Sequence, residues 1–192
     1  MAIYTKRGDK GKTSLYDKFS AQRERARHDS MSSARRVSKS SLRIDVIGSV
    51  DELNSFLGIV ISSSENPKLT YQLKEVQRNL LTIGSILAGS DLRFFKTKTK
   101  GLEKVIDEIE GKLPPLKNFI LPGGSKLASQ LQFARSLTRR VERSIVALGK
   151  EDTVKSEILL YLNRLSDYLF MLARDANYST GLKEEVWVGK KK

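Results

Sequence analysis

The sequence lacks the residues on which most metal and redox chemistry depends. Its 192 residues include no cysteine and one histidine, His28. Disulfides, thiolate metal sites and a cysteine nucleophile are therefore excluded. A single histidine in a polar segment makes neither a histidine-based metal site nor a Ser-His-Asp triad. Any catalysis must use carboxylates, arginine, lysine, hydroxyl groups or a bound cofactor, and we expect no metal site built from protein ligands alone.

Long apolar runs are also absent. No stretch reaches the roughly 20 apolar residues that span a bilayer, and the opening residues, MAIYTKRGDKGKT, lack the apolar core of a signal peptide. A hydrophobic content of 39% and a charged content of 30% are typical of a globular protein, and the length suits one domain with a real core. We expect a single cytoplasmic domain that does not bind membranes.

Acidic residues are scarce at both ends of the chain. The formal net charge is +13, and residues 1–43 hold twelve lysines and arginines against four aspartates and glutamates. Such basicity favours binding to nucleic acid. Basic ends on a nearly balanced body fit a phosphate-binding site with a solvated surface equally well. Charge alone does not choose between these two interpretations.

Apolar residues recur at helical spacing from about residue 43 onward. The pattern predicts helices over 43–60, 69–87, 102–113, 127–148 and 152–179. Short links between them predict an all-α, up-and-down five-helix bundle over 43–180, preceded by a loop at 1–16 and a mobile basic insertion at 17–42, and followed by a tail at 181–192. The predicted core of the fourth helix is Leu127, Leu131, Ala134, Thr138, Val141, Ile145 and Leu148, and that of the fifth is Ile158, Leu162, Leu165, Leu169, Leu172 and Ala176.

The fourth helix carries the most distinctive charge pattern. The run Pro122-Gly123-Gly124 cannot be helix interior, and Ser125 after it is a good N-cap. Further along lies a column of basic side chains with a single acid close by, namely Arg135, Arg139, Glu142 and Arg143. Arginines stacked at i, i+4 and i+8 repel one another and favour an anionic partner, and a polyphosphate suits their bidentate geometry. An ordinary solvated basic face is the alternative, although Glu142 is spaced to orient Arg139.

Polar residues beside other apolar seams are further candidates. Asp51 and Glu52 lie next to the seam of the first helix, and Asn163 and Asp167 are one turn apart on the fifth. An asparagine near a core is costly unless it is paired. We therefore expect Asn163 to have a polar partner.

The first 14 residues form a glycine-rich basic segment. Gly8 and Gly11 permit close approach of the backbone to an anion, and cations and hydroxyl groups surround them, at Lys6, Arg7, Lys10, Lys12, Thr13 and Ser14. The run GDKGKT lacks the full spacing of a P-loop, so a mobile polar terminus is the alternative. Residues 17–42, rich in serine and arginine, could close over a ligand or could be an ordinary surface insertion.

Taken together, six motifs resemble one family in order along nearly the whole chain. They are IYTKRGDKGKT, VIGSVDELNSFLG, EVQRNLLTIGSILA, FILPGG, ARSLTRRVER and YLNRLSDYLFMLAR. The family is that of the PduO-type ATP:cob(I)alamin adenosyltransferases, or corrinoid adenosyltransferases. The resemblance implies a ferritin-like, cobalamin-adenosyltransferase-like bundle that assembles as a homotrimer with sites at the subunit interfaces.

The reaction that the resemblance implies needs no cysteine or histidine. The 5′-deoxyadenosyl group of ATP passes to the cobalt of cob(I)alamin, which attacks the ribose C5′, and triphosphate leaves. Magnesium is expected with the triphosphate, because it neutralises leaving-group charge. An electron-donating reductase and an adenosylcobalamin-dependent mutase are possible partners, and nucleic acid is not expected. The alternatives are a non-catalytic helical module that binds nucleic acid and a nucleotide or corrinoid carrier without turnover.

The resemblance also assigns roles to residues of this sequence. Asp51 and Arg135 match a salt bridge between subunits, and Phe119 matches the aromatic residue that displaces the lower axial ligand of the corrinoid. The residues that match ATP-binding positions are Thr5, Lys6, Arg7, Gly8, Thr13, Ser14, Lys39, Arg139, Arg140, Val141, Glu142, Arg143 and Asn163. Two positions depart from the family pattern, Gln132 where a histidine is frequent and Ile47 where an aromatic residue is frequent.

Overall fold

Five helices and one pair of short strands make up the part of the chain that the computed structural model describes, which is residue 6, residues 8–15 and residues 36–189. Strands β1 and β2 precede the helices. The elements are β1 (Lys12–Ser14), β2 (Arg36–Ser38), α1 (Leu42–Ser62), α2 (Pro67–Leu87), α3 (Thr97–Glu110), α4 (Lys126–Leu148) and α5 (Ser156–Ser179). Helix α1 packs on α2 and α4, and α5 packs on α3 and α4. The predicted five-helix bundle is confirmed.

The predicted apolar seams form the core. The predicted seam residues of α1 and α2 are all buried, namely Val46, Val50, Leu53, Leu57 and Val60 in α1 and Leu69, Leu73, Val76, Leu80, Ile83 and Leu87 in α2. In α4 and α5 only Leu127 and Ala176 of the predicted seams are partly exposed. The polar seam member Thr138 is fully buried, and its hydroxyl donates to the Ala134 carbonyl oxygen at 2.9 Å. The core therefore accepts this hydroxyl without an unpaired donor.

The helix starts follow from local capping. The Asn66 side chain accepts hydrogen bonds from the backbone N–H groups of Lys68 and Leu69, just before Pro67 opens α2. The Ser125 side chain accepts from the N–H of Ala128 at 3.1 Å, as its position before α4 predicts. These caps satisfy backbone donors that the first helical turn leaves without partners.

Three helices match the predicted bounds to within two residues, and the other two differ by more. Helix α3 begins at Thr97, ahead of the predicted start at residue 102, and ends at Glu110. Its first turn is mostly exposed and polar, with Thr99 as the buried position, so apolar periodicity gives no signal there. Helix α5 begins at Ser156, four residues after the predicted start, and residues 153–155 before it are not helical.

The end of the predicted insertion is ordered as a strand. β1 and β2 pair antiparallel, with Lys12 opposite Ser38, Thr13 opposite Val37 and Ser14 opposite Arg36. The prediction of a mobile loop over all of 17–42 is therefore wrong for its last residues, and the fold has a two-stranded sheet beside its helices. Residues 16–35 lie outside the described part of the chain. None of the described helices is both long and apolar enough to cross a membrane.

Candidate functional site

The arginine column of α4 presents two unpaired guanidinium groups. Arg139 and Arg143 are exposed, and neither has a hydrogen bond or an ion pair with any residue that the structure describes. One turn apart on one helix, they repel each other and attract an anion. This supports a phosphate-binding face more than a face neutralised by its own chain.

Arg135, at the start of the column, is held differently. It is partly buried, its Nε donates to Gln132 Oε1 at 2.9 Å, and its guanidinium carbon lies 5.9 Å from the centre of the Phe170 ring. Burial, and next the charge of Arg139, lower the pKa of Arg135, although an arginine stays protonated at neutral pH. Gln132, where the sequence departs from the family pattern, is buried and orients this arginine.

Two residues of the predicted triphosphate segment have partners elsewhere. Arg140 forms an ion pair with Glu52 of α1. Val141 is 1% exposed and belongs to the core. Its side chain is therefore not available to a ligand within the subunit, and its place in the ATP-binding segment stays a prediction. The helical period explains both results, because consecutive residues of a helix point in different directions.

The partner of Asn163 is Glu142. The Asn163 amide on α5 donates to the Glu142 carboxylate on α4, with 3.0 Å between Nδ2 and Oε1. The prediction that Asn163 has a polar partner is confirmed. Glu142 makes this bond and no ion pair with Arg139, so the predicted orienting contact within α4 is not observed among the described residues. The result is an amide–carboxylate pair on the two helices, next in sequence to arginines that have no partner among the described residues.

A cleft of about 700 Å³ lies where the strand pair meets α1 and α2. Four of the predicted site residues line it, Thr13, Ser14, Lys39 and Asp51, together with Ile47 and Gly48. The cleft thus brings hydroxyl groups, a cation and a carboxylate around one concave surface. Asp51 is exposed and has no ion pair within the described part of its own chain.

The glycine-rich loop lies close to Lys39. A Cβ added at Gly8 would lie 3.2 Å from Lys39 Nζ, so any larger residue would crowd this amine. The backbone N–H of Lys39 donates to the Gly11 carbonyl oxygen at 2.9 Å, and Gly11 has a φ of 70° that suits glycine. Lys6 is exposed, whereas Thr5 and Arg7 lie outside the described residues.

Phe119 projects from a loop that the tail of the chain supports. Its side chain is 79% exposed. Its backbone carbonyl oxygen accepts from the backbone N–H of Trp187 at 2.8 Å. The backbone N–H of Leu121 donates to the Glu185 carbonyl oxygen at 2.8 Å. Helical periodicity does not predict this contact of the tail. The available signal was the short apolar run Val186, Trp187 and Val188 inside an otherwise charged tail.

The candidate site thus consists of two parts of one chain. One is the cleft with the glycine-rich loop, and the other is the α4–α5 face with its free arginines. Asp51 belongs to the first part and Arg135 to the second, and the structure shows no ion pair between them within the subunit.

Comparisons with known proteins agree on one family. The sequence model described as cobalamin adenosyltransferase matches residues 3–176. A corrinoid adenosyltransferase of Bacillus subtilis (strain 168) is 40% identical over 190 residues, covering 95% of this chain and 90% of that protein.

Solved structures agree with this assignment. A variant PduO-type ATP:corrinoid adenosyltransferase from Lactobacillus reuteri, complexed with cobalamin and ATP, is 36% identical with a TM-score of 0.85 and covers 98% of this chain and 100% of that chain. A second variant of that protein, complexed with ATP, is also 36% identical, with a TM-score of 0.84 over 97% of this chain and 100% of that chain. The chain therefore belongs to the cobalamin adenosyltransferase family, as an ATP:corrinoid adenosyltransferase of the PduO type.

Proposed function

We propose that this enzyme joins the 5′-deoxyadenosyl group of ATP to the cobalt of cob(I)alamin at a site completed by a second copy of the chain in a homotrimer. The observation that carries the proposal concerns Arg139 and Arg143, near the Asn163–Glu142 hydrogen bond. Their guanidinium groups have no partner among the described residues. The relatives complexed with cobalamin and ATP support the choice of both substrates.

The triphosphate of ATP binds to the α4–α5 face. Arg139 and Arg143 supply charge-assisted hydrogen bonds to phosphate oxygens, which are about twice as strong as neutral ones. The Asn163 amide, already oriented by Glu142, contacts the nucleotide. Arg140 is occupied by Glu52 and takes no part.

The glycine-rich loop holds the same nucleotide from the other side. Gly8 leaves room for close approach, and Lys39 Nζ, Thr13 and Ser14 supply a cation and hydroxyl groups. Thr5 and Arg7 keep the ATP-binding roles that the sequence predicts. We assign the loop and the arginine face that share one ATP molecule to neighbouring subunits.

Two features support assembly. Asp51 is exposed and has no partner among the described residues of its own chain, while Arg135 is a partly buried cation on α4. An ion pair between subunits would satisfy both. An apolar surface adjoins α1 and α4, where the rings of Phe56 and Phe133 meet edge to face at 4.9 Å, and Phe133 and Ile59 are each 53% exposed. Burying such a surface against another copy is favourable.

The chemical step is a nucleophilic substitution at C5′. The electron pair of cob(I)alamin forms the cobalt–carbon bond as the bond from C5′ to the triphosphate oxygen breaks, and that oxygen keeps the bonding pair. Arg139 and Arg143 stabilise the charge that develops there. Phe119, with its ring 79% exposed, occupies the lower face of the corrinoid in place of the axial ligand, which eases reduction of cob(II)alamin.

Magnesium fits this donor set as a companion of the triphosphate. Mg²⁺ in nucleotide sites is held by one or two carboxylates and by phosphate oxygens, and Glu142 supplies one carboxylate on the helix that carries Arg139 and Arg143. Bound there, the ion would neutralise leaving-group charge. The cytoplasmic location, an electron-donating reductase and an adenosylcobalamin-dependent mutase stay predictions.

The test is an anaerobic adenosylation assay. The protein is mixed with ATP, magnesium and chemically reduced cobalamin, and the absorbance change to adenosylcobalamin and the release of triphosphate are measured. One triphosphate per adenosylcobalamin is expected. ATP binding without product would indicate a carrier, and salt-sensitive nucleic-acid binding that ignores ATP would indicate the helical module.

A further inference from the structure

The segment that carries Phe119, residues 114–125, is held at both ends by buried side chains of α5. Arg174 and Asn177 lie one turn apart on that helix and are 6% and 5% exposed. Neither belongs to the ATP-binding or corrinoid-binding set described above. Both direct their polar atoms to the backbone of this segment, which we call the Phe119 segment.

Asn177 holds the C-terminal end of the Phe119 segment. Its Nδ2 donates to the Gly123 carbonyl oxygen at 3.0 Å, and its Oδ1 accepts from the Ser125 N–H at 2.9 Å. Between these contacts Gly124 has a φ of 103°, and a Cβ there would lie 2.2 Å from Asn177 Oδ1. The amide thus fixes the turn between Phe119 and the arginine column of α4.

Arg174 holds the N-terminal end and the tail together. Its Nη2 donates to the Pro114 carbonyl oxygen at 3.0 Å. Its Nε lies 3.0 Å and 3.2 Å from the two carboxylate oxygens of Glu184. Immediately after Glu184, residues 185–187 pair with 119–121 through two backbone hydrogen bonds and the bridge between Ile120 and Val186.

We propose that Arg174 and Asn177 are positioning residues that place the Phe119 ring for displacement of the lower axial ligand, with Glu184 fastening the tail through Arg174. The inference rests on the role proposed for Phe119. Because that ring is 79% exposed, packing within its own subunit does little to fix it. Its position therefore depends on the backbone that carries it, and these buried hydrogen bonds fix that backbone.

The first experiment removes the ion pair between Arg174 and Glu184 by changing the tail residue rather than a residue of α5. Glu184→Ala deletes the carboxylate that Arg174 binds, and Glu185→Ala deletes the neighbouring exposed carboxylate as a matched control. Trp187 is the only tryptophan in the chain, and its backbone N–H donates to the Phe119 carbonyl oxygen. Its fluorescence therefore reports whether the tail is docked. We expect Glu184→Ala alone to increase acrylamide quenching of Trp187. Equal quenching in both variants overturns the fastening role.

The second experiment measures placement of the ring. With ATP bound, the four-coordinate fraction of cob(II)alamin is followed by its absorption and electron paramagnetic resonance spectra. Since small misplacements cost up to about a hundredfold, we expect Glu184→Ala and Asn177→Asp to lower adenosylation from cob(II)alamin by roughly ten- to a hundredfold. Asn177→Asp keeps the acceptor for Ser125 and loses the donor to Gly123. The loss from pre-reduced cob(I)alamin should be smaller, and the Kd for ATP should match that of the Glu185→Ala control.

Three outcomes separate the interpretations. Variants with a normal four-coordinate fraction overturn the positioning role. Variants that lose ATP affinity in parallel with corrinoid turnover show a general structural role and overturn it too. A wild-type protein that forms the four-coordinate species but no adenosylcobalamin contradicts the proposed function while leaving the positioning role intact.

Discussion

The side chain of Asn163 on α5 donates to the Glu142 carboxylate on α4 across the most extensive helix contact of the bundle, with 3.0 Å between Nδ2 and Oε1. Glu142 follows Arg139 by three residues and directly precedes Arg143. The hydrogen bond therefore fixes one acid and one amide close in sequence to the two arginines of the proposed triphosphate site, which have no partner among the described residues. It also links the two helices that build this site.

Reversing the polarity of this pair tests its importance. Asn163→Asp sets two carboxylates against each other, and we expect it to weaken ATP binding by at least about tenfold, since like charges this close repel. Adding Glu142→Gln restores an amide–carboxylate pair and should recover part of the loss. Calorimetric Kd values for ATP check both statements. A double variant as weak as Asn163→Asp alone contradicts the pairing.

The arginine column gives a neighbouring-residue comparison. Arg139→Ala should lower kcat/KM for ATP by at least roughly a hundredfold, about 3 kcal/mol, because a charge-assisted phosphate contact is lost. Arg140→Ala removes the same charge from the next position but breaks only an exposed ion pair with Glu52, which is worth about 0–1 kcal/mol. Steady-state kinetics with varied ATP measure the difference. Equal losses in the two variants would remove Arg139 from the site.

Asp51 is expected to act across a subunit interface. Asp51→Ala would leave Arg135 without its anion at a desolvated contact, which is strongly destabilising, and should reduce both trimer mass and activity. Glu52→Ala, one residue away, is the control and should leave the mass unchanged. Light scattering over a range of protein concentrations provides the measurement. A trimer of normal stability and activity for Asp51→Ala refutes the assignment.

Phe119→Ala should affect the reaction that starts from cob(II)alamin more than the reaction that starts from cob(I)alamin. We expect unchanged ATP binding, a strong decrease in the rate from cob(II)alamin and a smaller one from pre-reduced cob(I)alamin, because the ring acts on the axial ligand before reduction. Parallel assays from the two oxidation states measure the ratio. Equal losses in both assays are incompatible with an axial-ligand role.

The stability of the bundle should depend on pH through two buried tyrosines. Burial, above all, raises the pKa of Tyr161 and of Tyr168. The folded state therefore holds these protons after the unfolded chain releases them near pH 10. The free energy of unfolding should fall above that pH, by up to about 1.4 kcal/mol per pH unit for each tyrosine, and these groups should not alter it between pH 6 and 9. Urea titrations at several pH values test the slope, which should be shallower for Tyr168→Phe.

The apolar periodicity predicted the helices well where they contact the core. The seam residues of α1 and α2 are buried as expected. Apolar periodicity does not predict the start of α3, because its first turn presents polar residues to solvent. It does not predict β2 either, because three residues whose partners lie 22 to 26 positions away give no local signal.

The sequence predicts the features of the site that lie within one helix, but not the contacts between helices. Spacing predicted the exposed arginines, but it could not show that Arg140 reaches Glu52 on another helix or that Glu142 pairs with Asn163. Both are contacts between distant parts of the chain. The hydrogen bonds from Arg174 and Asn177 to the Phe119 segment also join distant parts of the chain. The ligand-binding roles themselves came from the resemblance to a family and stay predictions.

The antiparallel pairing of β1 with β2 has a consequence for variation in chain length. Lys12 to Ser14 and Arg36 to Ser38 are tied side by side, so residues 15 and 36 leave and re-enter the described fold at neighbouring points. Doubling the number of residues between two such fixed points costs only about 0.6 kcal/mol in closure entropy. Additions or deletions between them should therefore leave the cleft beside the strand pair undisturbed, which makes this a suitable place to graft an epitope or a fluorescent reporter.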